Sequence, residues 1–136
     1  MWLSLIEKRE ALLAIYQDEV PDLENLFLHE IKITTGKDLI INIRFDLGEF
    51  PKKIPKKWLD RNINTVQITL DLIQAKIEEI DLEKAISSVD SIIIEQISDY
   101  KRITLRDASK AEVLTIRSTW IYLSSLNGYQ NTYNLS

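Results

Sequence analysis

Leu39-Ile40-Ile41-Asn42-Ile43-Arg44-Phe45-Asp46 is the stretch that decides the fold, because Leu39, Ile41, Ile43 and Phe45 alternate with Ile40, Asn42, Arg44 and Asp46. Successive side chains of an extended strand point to opposite faces, so a period of two predicts a half-buried strand, as found in an antiparallel sheet with one wet face. Outward from it, Val66, Ile68, Leu70 and Leu72 alternate in the same way with Thr65, Gln67, Thr69 and Asp71. Upstream, Phe27, His29, Ile31 and Ile33 form one face of a partner strand, and Thr35-Gly36-Lys37-Asp38 supplies a short turn. Residues 26–34 and 38–46 are therefore expected to form a hairpin. Further strands are expected at 88–97, 100–107 and 111–126. The apolar phase flips near Leu72, with Ile73, Ala75 and Ile77 taking over, as at a bulge or a bend in a long strand. Ile73, Ile77, Ile80 and Leu82 also fit a helix over 73–86, and the two readings stay open.

The N-terminal segment has a different period. Trp2, Leu5, Ile6, Leu12, Leu13 and Tyr16 recur at three-to-four-residue spacing, which places them on one stripe of a helix. Ser4 and Glu7 stand at capping-box spacing, and Pro21 marks the stop. The expected fold class is thus α+β: an N-terminal amphipathic helix packed on a mostly antiparallel sheet of about six strands, in a single domain spanning 1–136. At 136 residues, 45% apolar and 28% charged, the chain is long enough to bury a core unaided.

Composition excludes more than it assigns. With no cysteine, neither a disulfide nor a thiolate metal site nor a thiol nucleophile can form. One histidine, His29, is too few for a zinc site without cysteine. It sits on the apolar face of an expected strand, where a packed, hydrogen-bonded core role is favoured over a catalytic one. Catalysis would require His29 in a cleft beside a carboxylate. No phosphate loop or dinucleotide fingerprint is present, and three glycines could hardly supply one. No catalytic residue, cofactor or metal is expected. The apolar runs are too short for a membrane span, and Glu7, Lys8 and Arg9 cut off the N-terminal one, so a cytoplasmic location is expected.

Charge is segregated. Residues 77–99 carry seven acids against the single Lys84, while Lys52, Lys53, Lys56 and Lys57 form the one dense basic run. That run reads as an exposed loop over an inward Trp58, and direct binding of nucleic acid or membrane is not expected. Asp18, Glu19, Asp22 and Glu24, and Glu78, Glu79, Asp81 and Glu83, are the two acidic clusters, read as solvated or partner-facing. Trp120-Ile121-Tyr122-Leu123 reads first as sheet packing. The alternative is a small-ligand-binding domain with a pocket lined by Trp120, Tyr122 and Phe45.

Several ordered stretches also carry a family resemblance. Ile15-Tyr16-Gln17-Asp18-Glu19-Val20-Pro21-Asp22-Leu23-Glu24-Asn25, running into Leu28-His29-Glu30-Ile31-Lys32-Ile33, resembles the immunity protein 50 family of bacterial polymorphic toxin systems. So do Arg44-Phe45-Asp46-Leu47, Glu49-Phe50-Pro51, Pro55-Lys56-Lys57-Trp58, the strand from Asn64 to Asp71, and the segment from Ile121 to Tyr129. No pattern aligns from Asp81 to Glu112. The resemblance implies a protein that neutralises a cognate toxin effector domain, such as a nuclease, by binding it inside the producing cell. It transfers no catalytic residue. Acidic patches would steer a basic toxin and cover its surface, so Glu78, Glu79, Asp81 and Glu83 are the expected partner-binding residues. An exposed strand edge would also allow a dimer.

Overall fold

The computed structural model describes residues 2–17, 19–81, 83 and 89–132. A 3₁₀ turn, Trp2–Leu5, precedes α1 (Glu10–Tyr16), β1 (Phe27–Thr34), β2 (Ile40–Asp46), α2 (Lys56–Asp60), β3 (Thr65–Ile73), β4 (Lys76–Ile80), β5 (Val89–Ile97), β6 (Tyr100–Asp107), β7 (Glu112–Ser118) and β8 (Trp120–Tyr129). The strands form two four-stranded sheets, ordered β1-β2-β3-β8 and β4-β7-β6-β5, and each neighbouring pair is antiparallel.

There are eight strands rather than six because two long strands pass from one sheet into the other. Gln74 takes a left-handed backbone, φ 52°, between β3 and β4. Opposite it, the Thr119 N–H and the Ser118 hydroxyl both donate to the Ile73 carbonyl, at 3.1 and 2.8 Å. Residues 65–80 and 112–129 are therefore one bent two-stranded ribbon, β3 with β8 in the first sheet and β4 with β7 in the second. Strands that switch sheets through a bend are how corners between packed sheets are made. The helical reading of 73–86 is overturned over Lys76–Ile80, which is a strand, whereas Glu83 beyond it is helical. Residues 82 and 84–88 lie outside the described set.

The alternating residues do what their period dictates. Ile41, Ile43 and Phe45 of β2, Val66, Ile68, Leu70 and Leu72 of β3, and Ile121 and Leu123 of β8 share one buried cluster with Ile92, Ile94, Ile103, Leu105, Leu114 and Ile116 of the second sheet. Burial of each contributes about 1.5–3 kcal/mol relative to exposure. A one-residue slip of β2 or β3 would turn all its apolar side chains to water, so the register is held firmly.

The expected N-terminal helix is broken. Lys8 has φ 58°, α1 spans only Glu10–Tyr16, and no side chain caps it. The Ser4–Glu7 box does not form because the Glu7 backbone serves β8 instead: its N–H donates to the Ile121 carbonyl (2.8 Å) and its carbonyl accepts from Leu123 (3.0 Å). Trp2, Ile6, Leu12 and Tyr16 are nonetheless buried, while Leu13 faces solvent. The helix ends at Gln17, φ 57°, ahead of Pro21.

The hairpin forms with Ile31 opposite Ile43 and Ile33 opposite Ile41, but a bulge lies between Leu28 and Glu30. The extra residue, His29, shifts the phase, so the expected single face of Phe27, His29, Ile31 and Ile33 does not exist. Leu28 and Ile31 pack inward, and Phe27 is 59% exposed. Among the described residues no helix is long and apolar enough to cross a membrane.

Candidate functional site

The outer face of the second sheet carries a polar depression of about 360 Å³. Register builds it. Glu79 of β4 lies across from Thr115 of β7, which lies across from Thr104 of β6, and Glu112 and Glu95 stand across from Arg106 and Arg102. With Glu78, at a bulge in β4, these eight residues line the depression. Arg102 reaches Glu95 at 3.3 Å and Arg106 reaches Glu112 at 3.9 Å. Glu78 and Glu79 meet no cation at ion-pair distance among the described residues, so one rim of the depression is left negative.

Its floor is underfilled with hydrogen bonds. Thr115 is 8% exposed and its hydroxyl has no hydrogen-bond partner among the described residues; neither has the Arg106 Nε–H. A buried polar group without a partner costs about 1–3 kcal/mol. Replacing Thr115 by the isosteric valine removes that hydroxyl and is expected to stabilise the protein by about 1 kcal/mol, read from the midpoint of urea unfolding. A midpoint that falls would mean the hydroxyl is paired in the folded protein.

Of the expected partner-binding residues, the structure thus brings together Glu78 and Glu79. Asp81 is exposed beyond the end of β4, its N–H bonded to the Val113 carbonyl at 2.8 Å, and Glu83 is exposed; neither lines the depression. Sequence reasoning missed Glu95, Arg102, Arg106, Glu112 and the two threonines. Arg102, Thr104 and Arg106 do alternate with Ile103 and Leu105, which marks a wet face, but nothing local says which strands lie beside it. In the other acidic cluster Glu19 pairs with Lys52 at 3.3 Å, Asp22 and Glu24 border a separate depression, and Asp18 lies outside the described residues.

A second polar constellation sits on the outer face of the first sheet and corrects the expectation for His29. The imidazole is not in the core: its Nε2 is 2.9 Å from Asp46 Oδ2, and the side chain is a quarter exposed. The bulge is the physical reason, since it turns His29 away from the apolar side. Asp46 is 4% exposed and also accepts hydrogen bonds from the Tyr129 hydroxyl (2.5 Å) and from Gln67 Nε2 (3.2 Å). One side chain from each of β1, β3 and β8 therefore converges on a carboxylate of β2. Burial, and then the bond to Asp46, push the Tyr129 hydroxyl up to about 12. His29 stands beside a carboxylate, as catalysis would require, but both oxygens of that carboxylate already accept hydrogen bonds within the sheet. The arrangement is a clamp across four strands.

The pocket imagined between Trp120, Tyr122 and Phe45 does not exist. Phe45 is fully buried on the inner face, while Trp120 is 43% exposed and Tyr122, paired with Asp71, lies on the outer face. Lys101 and Lys8 stand over those two rings, at 5.5 and 5.8 Å from their centroids. The lysines of 52–57 are exposed, and Trp58 packs on Phe50 with ring centroids 5.8 Å apart. Among the described residues no group of three or more histidines or acids is placed to hold a metal.

No curated protein and no solved structure matches the chain. A family model does, over residues 8–129, a span that includes the 81–112 region where the sequence alone offered no pattern. Its description is immunity protein 50, and since the match covers nearly the whole chain, this protein belongs to the immunity protein 50 family.

Proposed function

We propose that this protein acts as a single-domain immunity protein in the bacterial cytoplasm: it binds the effector domain of a cognate polymorphic toxin and blocks it, without catalysis of its own. The contact is made by the acidic rim of the second sheet, Glu78 and Glu79 with Asp81 and Glu83 beside them. The observation that carries this reading is the pair of carboxylates, Glu78 and Glu79, which meet no cation among the described residues and stand at the edge of a polar depression. Such a surface suits a basic partner, because exposed acids accelerate encounter and favour a partner of opposite charge. Family membership supports the class of function. One contiguous buried core supports a single unit.

The test is binding to the toxin encoded beside this protein's gene, after co-expression of the two. Reversing Glu78 and Glu79 together to lysine is expected to weaken affinity about 10- to 100-fold at low salt, mainly through the association rate, and to reduce growth protection. Unchanged affinity at low salt would remove this face from the interface. Growth protection without a stable complex would remove the binding mechanism itself and favour repair of toxin damage.

A further inference from the structure

Among the described residues three of the four sheet edges are partly covered or blunted. The β8 edge is bridged by Glu7 around Tyr122, and the β5 edge by residues 23–26 around Asp90 and Ile92, where the Leu26 N–H donates to the Asp90 carbonyl and the Ile92 N–H to the Leu23 carbonyl, both at 2.9 Å. The β4 edge is five residues long, bulged, and carries Glu78 and Glu79. Short length, bulges and charge are the usual means of blunting an edge. The β1 edge also has a bulge and charged residues, but among the described residues no backbone bridge lies on its outer side. It runs for eight residues, six of them exposed, and among the described residues its only strand partner is β2. Ile33 is 45% exposed there.

We infer that β1 is a self-association edge, pairing antiparallel with β1 of a second copy of this chain about a two-fold axis at Ile31. The argument rests on register and charge. A two-fold axis perpendicular to the sheet keeps inner faces with inner faces, so paired residues must share a face and the axis must pass through a residue. An axis at Glu30 sets Glu30 against Glu30, and an axis at Lys32 sets Lys32 against Lys32; both place like charges directly opposite. An axis at Ile31 sets Glu30 of each copy against Lys32 of the other, twice, with Ile31 against Ile31. Both charged residues lie on the outer face, across from Arg44 and Asn42 of β2. The bulge at His29 ends regular pairing just beyond this centre, so the joint is short and the affinity modest. It merges two four-stranded sheets into one of eight strands and leaves the acidic depression, on the other sheet, open in both copies.

Sedimentation velocity of the purified protein from micromolar to millimolar concentration tests this without any variant. Wild type is expected to pass from monomer to dimer, and a monomer throughout overturns the inference. Glu30→Lys and Lys32→Glu are each expected to weaken self-association at least about tenfold, because like charges then face each other at both symmetric positions. Mixing the two variants is expected to restore a dimer, since the lysines of one then face the glutamates of the other, and the double variant E30K/K32E is expected to dimerise with itself. A wild-type dimer that neither single reversal weakens, or a mixture of weakened variants that stays monomeric, places the joint elsewhere and overturns the register. Self-association does not depend on the toxin, so these outcomes are separable from those of the binding test.

Discussion

Asp46→Ala is expected to destabilise the protein by about 3 kcal/mol, a large fraction of the 5–15 kcal/mol typical of a domain. The size follows from what the carboxylate holds. Hydrogen bonds to a charged group contribute about 1.5–3 kcal/mol each, and removing the shared acceptor leaves its partly buried donors without a partner. Asp46 holds Tyr129, His29 and Gln67 at once, although His29 is exposed enough to recover water. Asp46→Asn keeps the shape but turns an NH₂ toward one of three donors, and is expected to cost about half as much. Thermal or urea unfolding of the two variants beside wild type checks the ranking. Equal stability of wild type and Asp46→Ala would mean that the clamp contributes nothing and that β1 is held by its backbone ladder and the packing of Leu28 and Ile31.

Gly48→Ala is expected to cost about 3 kcal/mol as well, by sterics rather than electrostatics. A Cβ at Gly48 would lie 2.4 Å from the Glu24 carbonyl oxygen and 3.0 Å from that of Asn25. Those oxygens belong to backbone that is tied to β5 through Leu23 and Leu26, so it cannot retreat without uncovering the β5 edge. Overpacking of this kind costs about 1–3 kcal/mol, with the upper end expected where the obstacle is backbone. Gly128 is the control. A Cβ there would meet the Trp58 ring at 2.9 Å and Ile63 Cγ2 at 2.8 Å, which are side-chain atoms, so Gly128→Ala should be the milder change. Urea midpoints rank the two, and a Gly128→Ala cost equal to or above that of Gly48→Ala would contradict the argument.

What could be read from the chain alone follows from which forces are local. The alternation at 39–46 and 65–72 placed β2 and β3, their inward faces and their hairpin partner, because burial acts residue by residue along a strand. The bend at Gln74 was visible as a phase flip at Leu72, but its meaning was not, since whether a strand bulges or turns into a second sheet depends on what lies opposite, here Thr119. Six expected strands became eight for that reason. His29 was misplaced because one inserted residue reverses every later side chain, and no residue type marks a bulge at Leu28–Glu30. Glu78 and Glu79 were legible as charge. Their neighbours Glu95, Arg102, Arg106, Glu112 and Thr115 come from three other strands, and that adjacency is a property of register.

The bent ribbon also sets a tempo. Thr69 and Ser125, whose hydroxyls meet at 2.8 Å, stand 56 residues apart in the chain. β3 therefore lacks its β8 neighbour until β8 has left the ribosome, and the sheets joined at the Gln74 corner mature together rather than one after the other. Such non-local pairing closes slowly, in milliseconds to seconds for sheet proteins of this kind. The supply of folded molecules is therefore paced by that long-range pairing, and not by the faster closure of the local β1–β2 hairpin.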